Sequence, residues 1–124
     1  MGETGNINIS EEVIVTISNI AANEVEGVVG VYSGIVDAFF DIFRGKKFNK
    51  GVSVLIEEDN KVAVTIIILV EYGRKIAEVA KQVQESVKNA IETMTEKEVL
   101  EVNVHIHGVL IKSEKPEKNK AVSE

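Results

Sequence analysis

The sequence has no cysteine, no tryptophan and a single proline among its 124 residues. Without cysteine, the chain forms no disulfide, no thiolate metal site and no cysteine nucleophile. Aromatic residues make up only 5% of the chain, so a platform for stacking nucleic-acid bases is not expected. The net charge of −6 also repels a phosphate backbone. We therefore expect no nucleic-acid partner.

Long hydrophobic runs are missing as well. The longest apolar run, 62–70, includes Thr65 and is far shorter than the about 20 residues that a transmembrane helix needs. The first ten residues contain no basic segment followed by an apolar run, so we expect neither a signal peptide nor an integral membrane segment. These absences predict a cytoplasmic protein whose contact with a membrane is peripheral or made through a partner.

The hydrophobic content, 44%, is sufficient for one folded domain, which we place at residues 1–111. The segment 112–124 contains four lysines, three glutamates and the single proline, with almost no apolar residues. Such a composition cannot form a core, and we expect this tail to be disordered.

Two segments have the periodicity of amphipathic helices. The first is predicted over 10–26, with Ser10 as its N-cap and Gly27 as the residue that stops it. In the second, apolar residues recur at three- and four-residue spacing from Ile76 to Met94, opposite charges of alternating sign.

Five segments have the composition or the alternation of β-strands, namely 5–9, 28–33, 51–58, 61–72 and 99–111. The strands 51–58 and 61–72 are predicted to form a hairpin, and both faces of 61–72 are apolar, so each needs a cover. The order β-α-β-insert-β-β-α-β predicts a two-layer α/β sandwich. It has a mixed sheet of about five strands, with the two main helices on one face.

The insert 35–50 is amphipathic and basic. If it is helical, its apolar side chains form one stripe, and a basic run, RGKKFNK, follows at 44–50. The segment could cover the second face of strand 61–72, dock on a protein partner or a second copy, or lie on an anionic membrane. The candidate partner-binding residues are Ile35, Val36, Phe39, Phe40, Phe43, Arg44, Lys46 and Lys47.

His105 and His107 are the candidates for a metal site, because they are two residues apart on a predicted strand and share a face with Glu101. The alternative is the polar outer face of a half-buried strand. Arg74 and Lys75 suggest an anion site at a helix start, with solvated surface cations as the alternative. No motif supplies a nucleophile or an acid–base pair. We therefore expect no catalytic residue, no metal, no cofactor and no enzymatic activity.

Five stretches recur in a fixed order within a match that runs from about residue 6 to 111, namely ISEEVI (9–14), IAANEVEGVVGV (20–31), KGVSV (50–54), YGRKIAEVAKQVQESVKNAIETMT (72–95) and EVNVHIHGV (101–109). Together they resemble the bacterial alkaline-shock protein family, also called envelope stress response proteins. The resemblance implies a small cytoplasmic α/β protein without an established enzymatic activity, linked to cell-envelope homeostasis and stress. The insert falls in a variable part of the family.

The resemblance also implies partners, since some members are held at the membrane by a membrane-spanning protein and one subgroup is tied to acetyl-CoA carboxylase. We expect a non-enzymatic interaction or scaffold protein that acts by self-association and protein–protein docking. The alternative is a regulator of fatty-acid synthesis that binds acetyl-CoA carboxylase.

Overall fold

A computed structural model describes residues 4–34 and 45–111 of the chain. The elements in chain order are α1 (Glu11–Asn23), β1 (Val28–Val31), β2 (Val52–Glu57), β3 (Lys61–Glu71), α2 (Ile76–Thr95) and β4 (Glu98–Leu110). The two helices and one sheet form the α/β sandwich that the sequence predicts. The described sheet has four strands, so the expectation of about five is corrected.

Strand β3 is the centre of the sheet. β4 runs parallel to β3 along the whole of one edge. β1 and β2 both run antiparallel along the other edge, β1 beside residues 68–70 and β2 beside 61–66. Within the described ranges the sheet is therefore mixed, as predicted, but only three strands wide.

The segment 5–9, the first of the five predicted strands, does not form a strand of the sheet. Its alternation comes from two isoleucines, of which Ile9 packs against the core while Ile7 is 91% exposed. One buried side chain removes too little apolar surface from water to hold a strand in place.

The core lies between β3 and the two helices. Every second side chain of β3 is fully buried on the helix side, namely Val62, Val64, Ile66, Ile68 and Val70. The helices contribute mainly Ile14, Ile17, Ala21 and Ala22 from α1, and Val79, Val83, Val87 and Ile91 from α2. Each such burial contributes about 1.5–3 kcal/mol for a valine- or isoleucine-sized side chain, so this layer provides most of the stabilisation.

Helix α1 begins as predicted but ends earlier. The Ser10 side chain accepts the N–H of Val13 at 3.4 Å, whereas the last helical residue is Asn23. Gly27, expected to stop the helix, instead allows β1 to pass beneath α2. Its φ is +99°, and a Cβ there would lie 2.8 Å from Cγ2 of Val79.

The alternation predicted for 99–111 is interrupted twice in β4. Neighbouring residues of β3 pair with Val99 and Glu101 of β4, so that Leu100 is skipped. The same happens between Ile106 and Gly108, where His107 is skipped. Leu100 is the extra residue of the first β-bulge and His107 that of the second.

Side chains of α2 cover the first part of β4's outer edge. Gln84 Nε2 donates to the carbonyl of Val102 at 3.0 Å, and Lys88 Nζ donates to that of Val99 at 3.3 Å. A Glu92 oxygen accepts the Val99 N–H at 3.0 Å. These bonds occupy backbone groups that would otherwise be open to pairing with another strand.

Strands β1 and β2 are two halves of one strand, interrupted by residues 33–50. The Tyr32 N–H donates to the Ile67 carbonyl at 2.8 Å, and the Ile67 N–H donates to the Gly51 carbonyl at 3.1 Å. The chain therefore leaves the sheet at Tyr32 and returns at Gly51 without opening it. We call this junction the seam.

Gly51→Ala should destabilise the protein by about 2 kcal/mol or more, because positive φ and crowding act together. Gly51 has a φ of +84°, and an added Cβ would overlap the Tyr32 carbonyl oxygen and lie 2.6 Å from Cγ1 of Val31. Gly30→Ala is the control, since a Cβ at Gly30 meets nothing within 4 Å. Urea unfolding measures both. Equal effects of the two substitutions would contradict the close packing at the seam.

Candidate functional site

The side of the sheet away from the helices, which we call the outer face, carries side chains in rows set by the strand register. Residues directly opposite each other on neighbouring strands share a face. Ser53, Thr65 and Asn103 form one row across β2, β3 and β4, which we call the polar row. The next row is Leu55, Ala63 and Glu101. On its other side, the polar row is followed by Tyr32, Ile67 and His105.

Two of the predicted partner-binding residues lie beside the polar row. Lys46 and Lys47 are exposed and, with that row, line a groove of about 290 Å³. We call it the lysine groove, and its remaining lining consists of Glu11, Val54, Leu55, Ala63 and Glu101. Ser53 and Thr65 at its floor are only 8% and 7% exposed. Its lining combines these polar side chains with apolar ones.

The other predicted partner-binding residues, namely Ile35, Val36, Phe39, Phe40, Phe43 and Arg44, lie outside the described residues. Their role stays a prediction. What the structure does describe is where the segment begins and ends. It starts after Tyr32, which pairs beside Ile67 on β3, and it leads back through Lys46 at the lysine groove.

A tight turn fastens the returning chain to α1. Asn49 and Val52 exchange backbone hydrogen bonds of 2.8 and 3.0 Å. Asn19 Nδ2 donates to the Lys50 carbonyl at 3.1 Å. The two carboxylate oxygens of Glu12 accept from Asn49 Nδ2 at 2.6 Å and from Lys50 Nζ at 3.1 Å. We call this arrangement the clamp.

The clamp lowers the pKa of Glu12, chiefly through the hydrogen bond from Lys50 and then through that from Asn49. A carboxylate with a lowered pKa stabilises the folded state above its unfolded-state pKa, and this stabilisation is lost as pH falls through the folded-state pKa. The clamp should therefore hold at neutral pH and weaken below about 4.5.

Glu12→Gln should remove this part of the pH dependence. Amide hydrogen exchange at Val52 should become faster in the wild type as the pH falls below 4.5, after correction for intrinsic rates, and should already be faster in the variant at neutral pH. Glu11→Gln, one residue away, is the control. Identical pH profiles for wild type and Glu12→Gln would contradict the role of the carboxylate.

The two candidate metal ligands lie among the groups of the outer face. In residues 4–34 and 45–111, no three histidine or carboxylate side chains are grouped closely enough to hold a metal ion. The ring of His107 stacks on Tyr32, with centroids 3.8 Å apart and an angle of 14° between the planes. This contact gives His107 a packing role beside the seam.

The cations at the start of α2 do not form an open anion site. Arg74 Nε donates to Glu71 at 3.0 Å and Nη2 donates to Glu26 at 3.3 Å. An anion would have to displace one of these carboxylates. Lys75 is the N-cap of α2 and makes no capping bond with its side chain. The geometry therefore favours the surface-cation interpretation.

An apolar groove on the helix layer is a feature that sequence reasoning missed. It lies between α1 and α2 and has a volume of about 460 Å³. Val13, Ile20 and Met94 line it and are 43%, 55% and 68% exposed. The sequence pattern instead places Met94 on the buried stripe of α2. The available signal is the spacing of Val13 and Ile20, which are seven residues apart and lie off the stripe of α1 that faces the sheet.

The polar row was also missed, because its members are far apart in the sequence. The available signal is the presence of Ser53 and Thr65, two hydroxyl residues within otherwise apolar strands. Only the register of the hairpin places them opposite each other.

Among the described residues, no helix is both long and apolar enough to cross a membrane.

The model of the alkaline shock protein family, which is described as having a "cell envelope-related function", matches residues 1–111. The uncharacterized protein YloU of Bacillus subtilis is 37% identical over 109 residues, which covers 86% of this chain and 90% of the relative. The uncharacterized protein Spy1535 of Streptococcus pyogenes is 34% identical over 114 residues, covering 91% and 86%. A stress response regulator gls24 homolog of Streptococcus pyogenes is 28% identical over 115 residues, covering 89% of this chain and 62% of that protein.

Among solved structures, a variant of MamM-CTD superposes with a TM-score of 0.50 at 17% identity, covering 82% of this chain and 96% of that one. This likeness concerns the fold alone.

Proposed function

Because the chain belongs to the alkaline shock protein family, whose function is described as cell envelope-related, we propose that it is a non-enzymatic interaction or scaffold protein of the bacterial envelope stress response or envelope homeostasis. It acts by self-association and by docking to other proteins. It works in the cytoplasm, where a partner holds it at the membrane. The membership confirms the family resemblance of the sequence.

The seam is the observation that carries the proposal. Residues 33–50 leave the sheet between two half-strands whose backbone bonds meet at Ile67. Tyr32 and Gly51 thus complete the pairing along β3, and residues 33–50 are not needed for that pairing. The clamp at Asn49 and Lys50 then fixes where the segment returns. Such an excursion, held at both ends on a rigid sheet, is well suited to present a docking surface.

The two faces of the sheet support the same reading. The helix side is filled mainly with buried aliphatic side chains, and the hydroxyl of the buried Ser18 there already donates to the Ile14 carbonyl at 2.8 Å. The outer face carries the lysine groove next to the two lysines of the predicted partner-binding set. A partner that docks at Lys46 and Lys47 would also contact this groove.

The double substitution Phe39→Asp and Phe43→Asp tests the proposal. Placing carboxylates on an apolar stripe that docks on a second copy or a partner should weaken that contact at least about tenfold, because a buried charge without a partner is strongly unfavourable. The domain itself should stay folded by circular dichroism. Light scattering after gel filtration measures self-association, and affinity capture from the native cell with mass spectrometry measures partner binding.

A double aspartate variant on the opposite layer is the matched control. Ile20→Asp and Met94→Asp also change two exposed apolar residues, but at the groove between the helices. The control should keep its oligomer and partners. If it loses them while the phenylalanine variant keeps them, docking occurs on the helix layer. If the phenylalanine variant unfolds, those rings belong to the core and the proposal fails.

The carboxylase alternative is decided by the same capture. Recovery of acetyl-CoA carboxylase subunits, repeated with purified subunits at micromolar protein, would support the regulator of fatty-acid synthesis. No described feature is specific for that enzyme, so the envelope scaffold remains the conclusion.

A further inference from the structure

Two residues that line the lysine groove are only 8% and 7% exposed, and their hydroxyl groups have no hydrogen-bond partner within the described residues. These residues are Ser53 and Thr65, which lie opposite each other on β2 and β3. A buried hydroxyl without a hydrogen bond destabilises the folded protein, and in native structures such a group usually has an explanation. A ligand that is bound in the groove would supply the missing partner.

Two cations border the same groove. Lys46 and Lys47 line it with Ser53 and Thr65. The ion pairs found in the described ranges use other cations, namely Lys50, Arg74 and Lys88. The ammonium groups of Lys46 and Lys47 are therefore available to a ligand.

The remaining polar groups define what the ligand carries. Asn103 completes the polar row with an amide, which both donates and accepts. Glu101 and Glu11 add carboxylates, which only accept. Ammonium and hydroxyl donors fit an oxyanion, while the carboxylates fit hydroxyl groups. Two lysines and two glutamates give a neutral lining, so an oxyanion that also carries hydroxyl groups fits better than a bare anion.

We propose that the lysine groove binds the phosphate ester of a small polyol, with the phosphate oxygens on Lys46, Lys47, Ser53 and Thr65 and the polyol hydroxyls towards Glu101. The volume of about 290 Å³ is at the lower end for ligand pockets, which suits a ligand of this size. The same chemistry occurs in a soluble polyol phosphate and in a glycerol-phosphate lipid headgroup. The site goes beyond the docking function and does not depend on the phenylalanines of the insert.

Titrations of the full chain followed by NMR test the site with stated probes. The probes are glycerol 1-phosphate, inorganic phosphate, and vesicles of phosphatidylglycerol with phosphatidylcholine vesicles as their control. Saturable shifts of the backbone amides of Ser53, Thr65 and Asn103 are expected with glycerol 1-phosphate, at lower concentration than with inorganic phosphate. If only the phosphatidylglycerol vesicles bind, the lipid headgroup is the source.

Substitutions separate binding from structure. Lys46→Gln with Lys47→Gln should raise the dissociation constant at least about tenfold, since charge-assisted hydrogen bonds are lost. Thr65→Val should raise the dissociation constant several-fold. Unlike most core substitutions, it should also raise the melting temperature of the free protein, because the substitution removes an unpaired hydroxyl. The controls are Lys81→Gln and Thr93→Val on the exposed side of α2, which should leave both quantities unchanged.

Three results would overturn the proposal. One is the absence of saturable shifts at the polar row with every probe at millimolar concentration. Another is a loss of affinity as large for Lys81→Gln as for the groove lysines. The third is a lower melting temperature for Thr65→Val, which would show that the hydroxyl serves the fold. Since none of these variants touches Phe39 or Phe43, failure here leaves the docking proposal intact.

Discussion

The two backbone hydrogen bonds of Ile67 are the interactions on which the arrangement of this protein depends. Its carbonyl accepts the Tyr32 N–H and its own N–H donates to the Gly51 carbonyl, so one residue of the central strand joins two half-strands that are separated in the chain by residues 33–50. Because these backbone groups are satisfied, the sheet is complete along that edge and the intervening segment can differ in composition without affecting it. The clamp from Glu12 and Asn19 then fixes the returning chain to the first helix.

The two faces of the central strand carry different kinds of side chain. On the helix side, buried aliphatic residues pack closely and exclude water. On the outer face, strand register brings together the hydroxyls of Ser53 and Thr65, the amide of Asn103 and the carboxylate of Glu101. Glu11, Lys46 and Lys47, which lie outside the strands, line the same groove. Among the residues that the structure describes, the hydroxyls of Ser53 and Thr65 have no hydrogen-bond partner, and such exceptions are expected where a protein binds something. The ligand site that we propose lies on this outer face.

Local periodicity is sufficient to predict part of this structure. The second helix is predicted because apolar residues recur at helical spacing over 20 residues, and its observed extent is Ile76–Thr95. The hairpin of β2 and β3 is predicted for a similar reason, and Asp59 and Asn60 adopt the positive φ that their turn requires. Local periodicity does not predict the outer-face site, because Ser53, Thr65 and Asn103 become neighbours only through strand register. The two bulges of β4 shift that register by one residue each, which alternation alone cannot show, and Gly27 acts through its contact with Val79 rather than through the helix end.

Excision of the insert tests the central claim most directly. In a variant in which residues 35–47 are replaced by a short glycine–serine linker, hydrogen exchange of the Tyr32 and Ile67 amides reports whether the seam persists. We expect a folded domain in which both amides stay as protected as in the wild type, because their acceptors, the carbonyls of Ile67 and Gly51, remain in place beside the sheet. An unfolded chain, or fast exchange at both amides in a domain that is otherwise folded, would contradict this claim.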